Sequence, residues 1–89
     1  MMWTVEIEKA FREQLHTWVV DIKRVALKIF DLMASLERQP YDGIGKPEQL
    51  KHRLSGLWSR RVDLEHRLVY EVNEDTQTIT LISCFGHYE

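Results

Sequence analysis

Both prolines of the chain, Pro40 and Pro47, bracket Gly43 and Gly45 in one short stretch, and the hydrophobic period changes across it. Before this stretch, apolar residues recur at helical spacing. Phe11, Leu15 and Trp18 mark a first helix, and Asp21 is placed to cap a second. The second helix has an apolar stripe of Ile22, Val25, Ala26, Ile29, Phe30, Met33 and Leu36. A stripe of this kind belongs to a core. Beyond Pro47 the period becomes two, which predicts strands over Leu57–Val62, Glu65–Val72 and Ile79–Phe85, with Asn73–Thr78 joining the last two as a hairpin. Trp3, Val5 and Ile7 alternate with polar residues as a short opening strand. The order is a strand, two helices, then an antiparallel sheet. The order predicts an α+β fold, with the N-terminal strand and two helices packed on one face of an antiparallel sheet. The opposite sheet face is left open, and it is the default place for a site.

Eighty-nine residues predict a single domain, 1–89, because a chain this short buries only about 60 to 65% of its unfolded surface. Three Trp, three Phe and three Tyr offset the small size, and a partner covering an apolar face would add to the margin. A lone cysteine, Cys84 in the run LISCF, excludes an internal disulfide and reads as a buried thiol. No Cys/His spacing resembles a zinc site, and no motif asks for a cofactor. The chain shows neither a leader pattern nor an apolar run of membrane-spanning length, so the expected location is the cytoplasm.

The charge is unevenly distributed. Over Lys46 to Arg67 six Lys and Arg stand against three Asp and Glu, a local +3, and the remainder of the chain carries −5. An acidic body with one basic block fits contact with phosphates at a single site and argues against coating of nucleic acid. The stretch KPEQLKHRLSGLWSRRVDLEHRLVY, Lys46 to Tyr70, combines Glu48 with Lys46, Lys51, Arg53, Arg60, Arg61 and Arg67, and His87 and Tyr88 follow near the end. A carboxylate, arginines and an imidazole suffice to break a phosphodiester without a metal. The carboxylate takes a proton from a ribose 2′-hydroxyl, guanidiniums hold the phosphorane, and the imidazole protonates the departing 5′-oxygen.

Alternation along the predicted strands separates Arg67, Val69 and Glu71 from His66, Leu68, Tyr70 and Val72, and the second set reads as the core face. Arg67 therefore points away from the helices. On the preceding strand Leu57, Ser59 and Arg61 face one way, and Trp58, Arg60 and Val62 face the other. Sequence alone leaves open which set shares a face with Arg67. His66 reads as a structural hydrogen-bonding histidine, and Trp58 as core or as a dimer contact.

The pattern KPExLKHxLSGxWSRRxxxEHRLVY resembles the YoeB toxins of YoeB/YefM toxin-antitoxin systems, within the RelE/ParE toxin superfamily. The terminal His87-Tyr88 fits as well. The resemblance implies a RelE-like fold and a metal-independent endoribonuclease, an mRNA interferase that cuts in the ribosomal A site and inhibits translation. It implies as partners a YefM-like antitoxin, the 70S ribosome, mRNA and a second copy of the chain. By the same resemblance, Glu48 is general base, Arg67 holds the phosphate, His87 is general acid and Tyr88 stands beside it. Lys46, Lys51 and Arg61 are RNA- or phosphate-binding, and Arg60 is left as a phosphate-steering or structural residue. A free carboxylate is a weak base toward a hydroxyl, so the role of Glu48 depends on the site raising its basicity or the bound RNA aligning the 2′-oxygen. An imidazole, titrating near ~6.5 when unperturbed, suits the acid role at neutral pH. The superfamily also contains ParE-like gyrase inhibitors that lack the nuclease set, and a catalytically inactive antitoxin partner is a third possibility. The combination of Glu48, Arg67 and His87 favours the nuclease.

Overall fold

The computed structural model describes residues 2–51, 54 and 56–86. Their elements are β1 (Thr4–Ile7), α1 (Lys9–Asp21), α2 (Lys23–Arg38), β2 (Glu48–Gln49), β3 (Leu57–Arg61), β4 (Arg67–Asn73) and β5 (Thr78–Ser83). The five strands form one sheet in the order β1-β5-β4-β3-β2. The chain begins at one edge, covers a face with two helices, re-enters at the opposite edge as β2 and meanders back through β3 and β4 to β5. Three pairings are antiparallel, and β1 runs parallel to β5, so the sheet is mixed.

The core lies between the helices and one face of the sheet. Phe11 and Trp18 of α1 and Val25, Ala26, Ile29, Leu32 and Leu36 of α2 meet Leu68, Tyr70, Ile79 and Leu81 of the central strands. Trp3, Val5 and Trp58 pack against this cluster from the sheet margins. Burial of this apolar surface is the main stabilising term of the fold, at roughly 25 cal/mol per Å² removed from water.

Two helix expectations need correction. Asp21 does not cap α2. It is the last residue of α1, and Ile22 alone joins the helices: its N–H donates to Trp18 O (2.8 Å), and its carbonyl accepts from Val25 N (3.0 Å) and Ala26 N (3.3 Å). Nor does the stripe of α2 include Ile22 or Phe30, which are 41% and 48% exposed, whereas Leu32 is fully buried. Val25, Ile29, Leu32 and Leu36 advance by four, three and four, which keeps one line along a 3.6-residue helix, and Phe30 lies about 100° away from Ile29.

The loop between α2 and β2 is held tightly. Gly43 (φ +130°) and Gly45 (φ +84°) take backbone conformations that disfavour a side chain. A Cβ at Gly45 would lie 2.7 Å from Leu32 Cδ2 and 3.1 Å from Arg60 Cβ, and one at Gly43 would collide with Ser35 Oγ. Beside the loop Tyr41 packs on Trp58 at 5.0 Å and on Trp3 at 6.4 Å between ring centroids, and its hydroxyl bonds to the Glu74 carboxylate.

Candidate active site on the sheet face away from the helices

The pairing register settles the arginine ambiguity. Arg61 stands directly opposite Arg67, Ser59 opposite Val69, and Leu57 opposite Glu71, so these residues share one face. Arg60 stands opposite Leu68, on the core face. Glu48 of β2 is the register partner of Ser59 and therefore joins the Arg61–Arg67 face. Counting strand spacings, its Cα lies about 12 Å from that of Arg67, two strands across and one side-chain step along. Side chains as long as Glu and Arg can close that gap around a phosphate.

The two neighbouring arginines serve different ends. Arg60 is fully buried, and its guanidinium donates to Ser35 Oγ (2.6 Å), Gln39 O (2.6 Å), Asp42 O (3.0 Å), Ile44 O (3.2 Å) and the Tyr70 hydroxyl (3.4 Å). Tyr70 donates onward to Pro40 O at 2.6 Å. Burial pushes the Tyr70 hydroxyl above its ordinary range, which keeps it a donor, while the nearby Arg60 acts in the opposite sense. Arg60 is thus the clasp of the 39–45 loop, and the phosphate-steering alternative for it falls away because no part of it reaches solvent.

Arg61 is exposed and Arg67 half-buried. Among the described residues neither guanidinium has an ion-pair partner; the one ion pair there joins Lys9 to Glu13 at 3.9 Å. Like charges placed directly across two strands cost roughly 0.2 to 1 kcal/mol, so this pair is a feature the fold does not need.

Near this pair the face is not simply open. Ser59 is fully buried, Val69 is 1% exposed, and Val69 and Leu50 (7%) lie outside the helix-side cluster. Apolar side chains are thus buried on this face as well, away from the helices. Among the described residues the Ser59 hydroxyl has no hydrogen-bond partner. Sequence reading missed both this buried serine and β2, whose two residues are too few to show a period.

Lys46 takes φ +51°, an uncommon conformation for a residue with a side chain, at the turn leading through Pro47 into Glu48. Arg61 N donates to Gly45 O at 2.6 Å, tying that turn to β3. Lys46, Glu48 and Lys51 are all exposed. The structure thus brings Glu48, Arg61 and Arg67 to one face, with Lys46 beside them in the loop. His87 and Tyr88 lie outside the described residues, as does Arg53.

The chain leading to His87 is described through Gly86. The sequence profile described as "YoeB-like toxin of bacterial type II toxin-antitoxin system" matches residues 7–88. The chain belongs to this family. It is 42% identical over 88 residues to Toxin YoeB of Escherichia coli (strain K12), covering 99% of this chain and 98% of that protein. Among solved structures it is similar to the YoeB dimer from Staphylococcus aureus, with a TM-score of 0.86, 36% identity, and coverage of 99% of this chain and 100% of that one. The YoeB-YefM complex from the same organism aligns with a TM-score of 0.83 at the same identity and coverage. The fold of this YoeB-like chain is the RelE-like toxin fold, two helices on a five-stranded sheet.

Cys84 takes no part in the site. It is fully buried beneath Trp18, whose indole N–H donates to Cys84 O at 3.2 Å, and burial pushes its thiol up to about 12. The reactive thiolate is therefore suppressed. The folded protein is expected to resist iodoacetamide at about pH 8 for as long as it stays folded, with labelling by mass spectrometry appearing only in denaturant. Labelling of the native protein at the rate of a free thiol would contradict the burial.

Proposed function

We propose that this YoeB-like toxin is a ribosome-dependent endoribonuclease that cleaves mRNA in the A site and inhibits translation. The observation that supports it best is the register that puts Arg61 and Arg67, which have no ion-pair partner among the described residues, on the face shared by Glu48. Two guanidiniums and an exposed carboxylate on one face are the chemistry of internal transphosphorylation. Glu48 removes the 2′-hydroxyl proton, and the 2′-oxygen attacks phosphorus. Charge gathers on the non-bridging oxygens, where Arg67 and Arg61 stabilise it, with Lys46 and Lys51 holding flanking phosphates. His87 gives its proton to the leaving 5′-oxygen, and a 2′,3′-cyclic phosphate and a 5′-hydroxyl result. Tyr88 stands beside the acid and stacks on a base or orients the phosphate. None of these steps calls for a metal.

A YefM-like antitoxin covers the basic face and holds the toxin inactive, and the toxin pairs with a second copy. The exposed apolar side chains Val20 (67%), Leu27 (65%) and Phe30 (48%) suit such protein partners. Action on translating ribosomes places the protein in the cytoplasm. Among the described residues no helix is long and apolar enough to cross a membrane.

The test is primer extension on a defined mRNA incubated with the protein, with and without programmed 70S ribosomes, using His87→Ala as control. Cuts that require ribosomes and vanish in the variant are expected. Absence of cuts in both conditions, with loss of gyrase supercoiling activity, would transfer the chain to the gyrase inhibitors.

A further inference from the structure

The ladder of β5 ends at Ser83, yet the backbone after it is still anchored at defined atoms. Cys84 N donates to the side-chain carbonyl of Gln14 at 2.7 Å, and Trp18 Nε1 donates to Cys84 O at 3.2 Å. Two residues on, Gly86 is gripped at both of its backbone groups. Arg67 N donates to Gly86 O at 2.8 Å, and Gly86 N donates to His66 Nδ1, also at 2.8 Å. Gly86 itself has φ +70°, the left-handed region, where a glycine turns the chain without strain.

A backbone N–H is always a donor, so His66 Nδ1 must be the acceptor. Only a neutral imidazole carrying its proton on Nε2 provides that lone pair. The ring is held in place by aromatic contacts on Trp18 (4.8 Å between centroids, 74°) and Phe85 (5.9 Å, 63°). At its backbone, His66 N donates to Asp63 Oδ1 at 2.7 Å. The next residue in the chain after Gly86 is His87, the proton donor of the proposed reaction, and the residue after His66 is Arg67, its phosphate ligand.

We propose that His66 is the positioning residue of the proposed nuclease site: its neutral Nδ1 fixes the Gly86 amide and so sets where the chain delivers His87 and Tyr88 relative to Arg67. The inference rests on the nuclease reading for its consequence in catalysis, and on the hydrogen bond alone for its structural content. His66 touches no substrate. It acts by holding one backbone amide, and a misplacement near 1 Å at an acid or base is costly in rate.

Two substitutions separate the acceptor from the ring. Asparagine offers Oδ1 at the same number of bonds from Cα as Nδ1, whereas phenylalanine preserves aromatic packing against Trp18 and Phe85 without an acceptor. His66→Asn is expected to keep the Gly86 amide protected from hydrogen exchange and to cleave within a few-fold of wild type. His66→Phe is expected to lose that protection and to drop kcat on the order of 10²-fold with KM little changed. His66→Phe with full kcat and a protected Gly86 amide overturns the proposal. Long-range proton–nitrogen correlation of the wild-type imidazole adds a reading that needs no variant. An unprotonated Nδ1 and a protonated Nε2 support the proposal, and a protonated Nδ1 refutes it even if His66→Phe fails to fold. Should the wild-type chain cut no RNA at all, the exchange and imidazole readings still decide the role of His66, and only the nuclease reading falls.

Discussion

Arg60→Met is expected to lower folding stability by about 3 to 5 kcal/mol, a large part of the ~4 to 13 kcal/mol that an 89-residue domain commands. Replacing a buried ion pair with apolar residues is often harmless, because both charged partners leave together. Arg60 differs, since three of its acceptors are the backbone carbonyls of Gln39, Asp42 and Ile44, which no substitution at position 60 removes. Each buried acceptor left unmatched costs about 1 to 3 kcal/mol, moderated where the loop can lift into water. Lysine would not rescue the site, because one ammonium cannot span a ring of acceptors that a planar fork with five N–H groups reaches. Arg61→Met, one residue along, is expected to be neutral or to stabilise by up to about 1 kcal/mol, since it removes a like charge facing Arg67. Urea unfolding of the two variants side by side is the check, and equal midpoints would mean that the clasp of the 39–45 loop contributes nothing.

That contrast also marks what sequence could and could not reveal. Arg60 and Arg61 are chemically identical neighbours, and alternation puts them on opposite faces without saying which face is which. The answer lies in the register between β3 and β4, and a slip of one residue would exchange them. The register is fixed by an irregular turn in which Val62 N and Asp63 N both donate to His66 O, at 2.9 and 3.3 Å, and no residue pattern announces that geometry. The helices were legible because a stripe of seven residues averages out local errors, although it takes in the exposed Ile22 and Phe30 and leaves out the buried Leu32. The expected strands agree with the observed ones to within one or two residues at each end. The grip of His66 on Gly86 joins positions 20 residues apart through a single nitrogen, and hydrophobic period carries no trace of it. Among the site residues, Glu48 and Arg67 stand out by the chemistry of a carboxylate beside arginines, and the resemblance to a family strengthens both. The structure adds that they share a face, which the resemblance alone did not show.

Glu48→Gln is expected to reduce ribosome-dependent cleavage by about 10² to 10⁴-fold, equivalent to about 2.7 to 5.5 kcal/mol of transition-state stabilisation. The amide has the shape of the carboxylate but cannot take the 2′-hydroxyl proton, so the loss belongs to the chemical step. The fold should not register the change. Glu48 is exposed on a two-residue edge strand, and among the described residues it has no ion-pair partner and no side-chain hydrogen bond. Thermal midpoint and antitoxin affinity should both be retained, as they should for His87→Ala, and growth arrest on expression should disappear in both variants. Arg67→Ser should lose rate because the charge developing on the phosphorane is no longer stabilised, with a lower kcat, and should also show a weaker dependence on salt, since each phosphate contact given up lowers the number of counterions released. A Glu48→Gln protein that cleaves at the wild-type rate would remove this carboxylate from the reaction. Cleavage would then have to draw its base from the ribosome or from another group, with Arg61 and Arg67 left as a phosphate clamp.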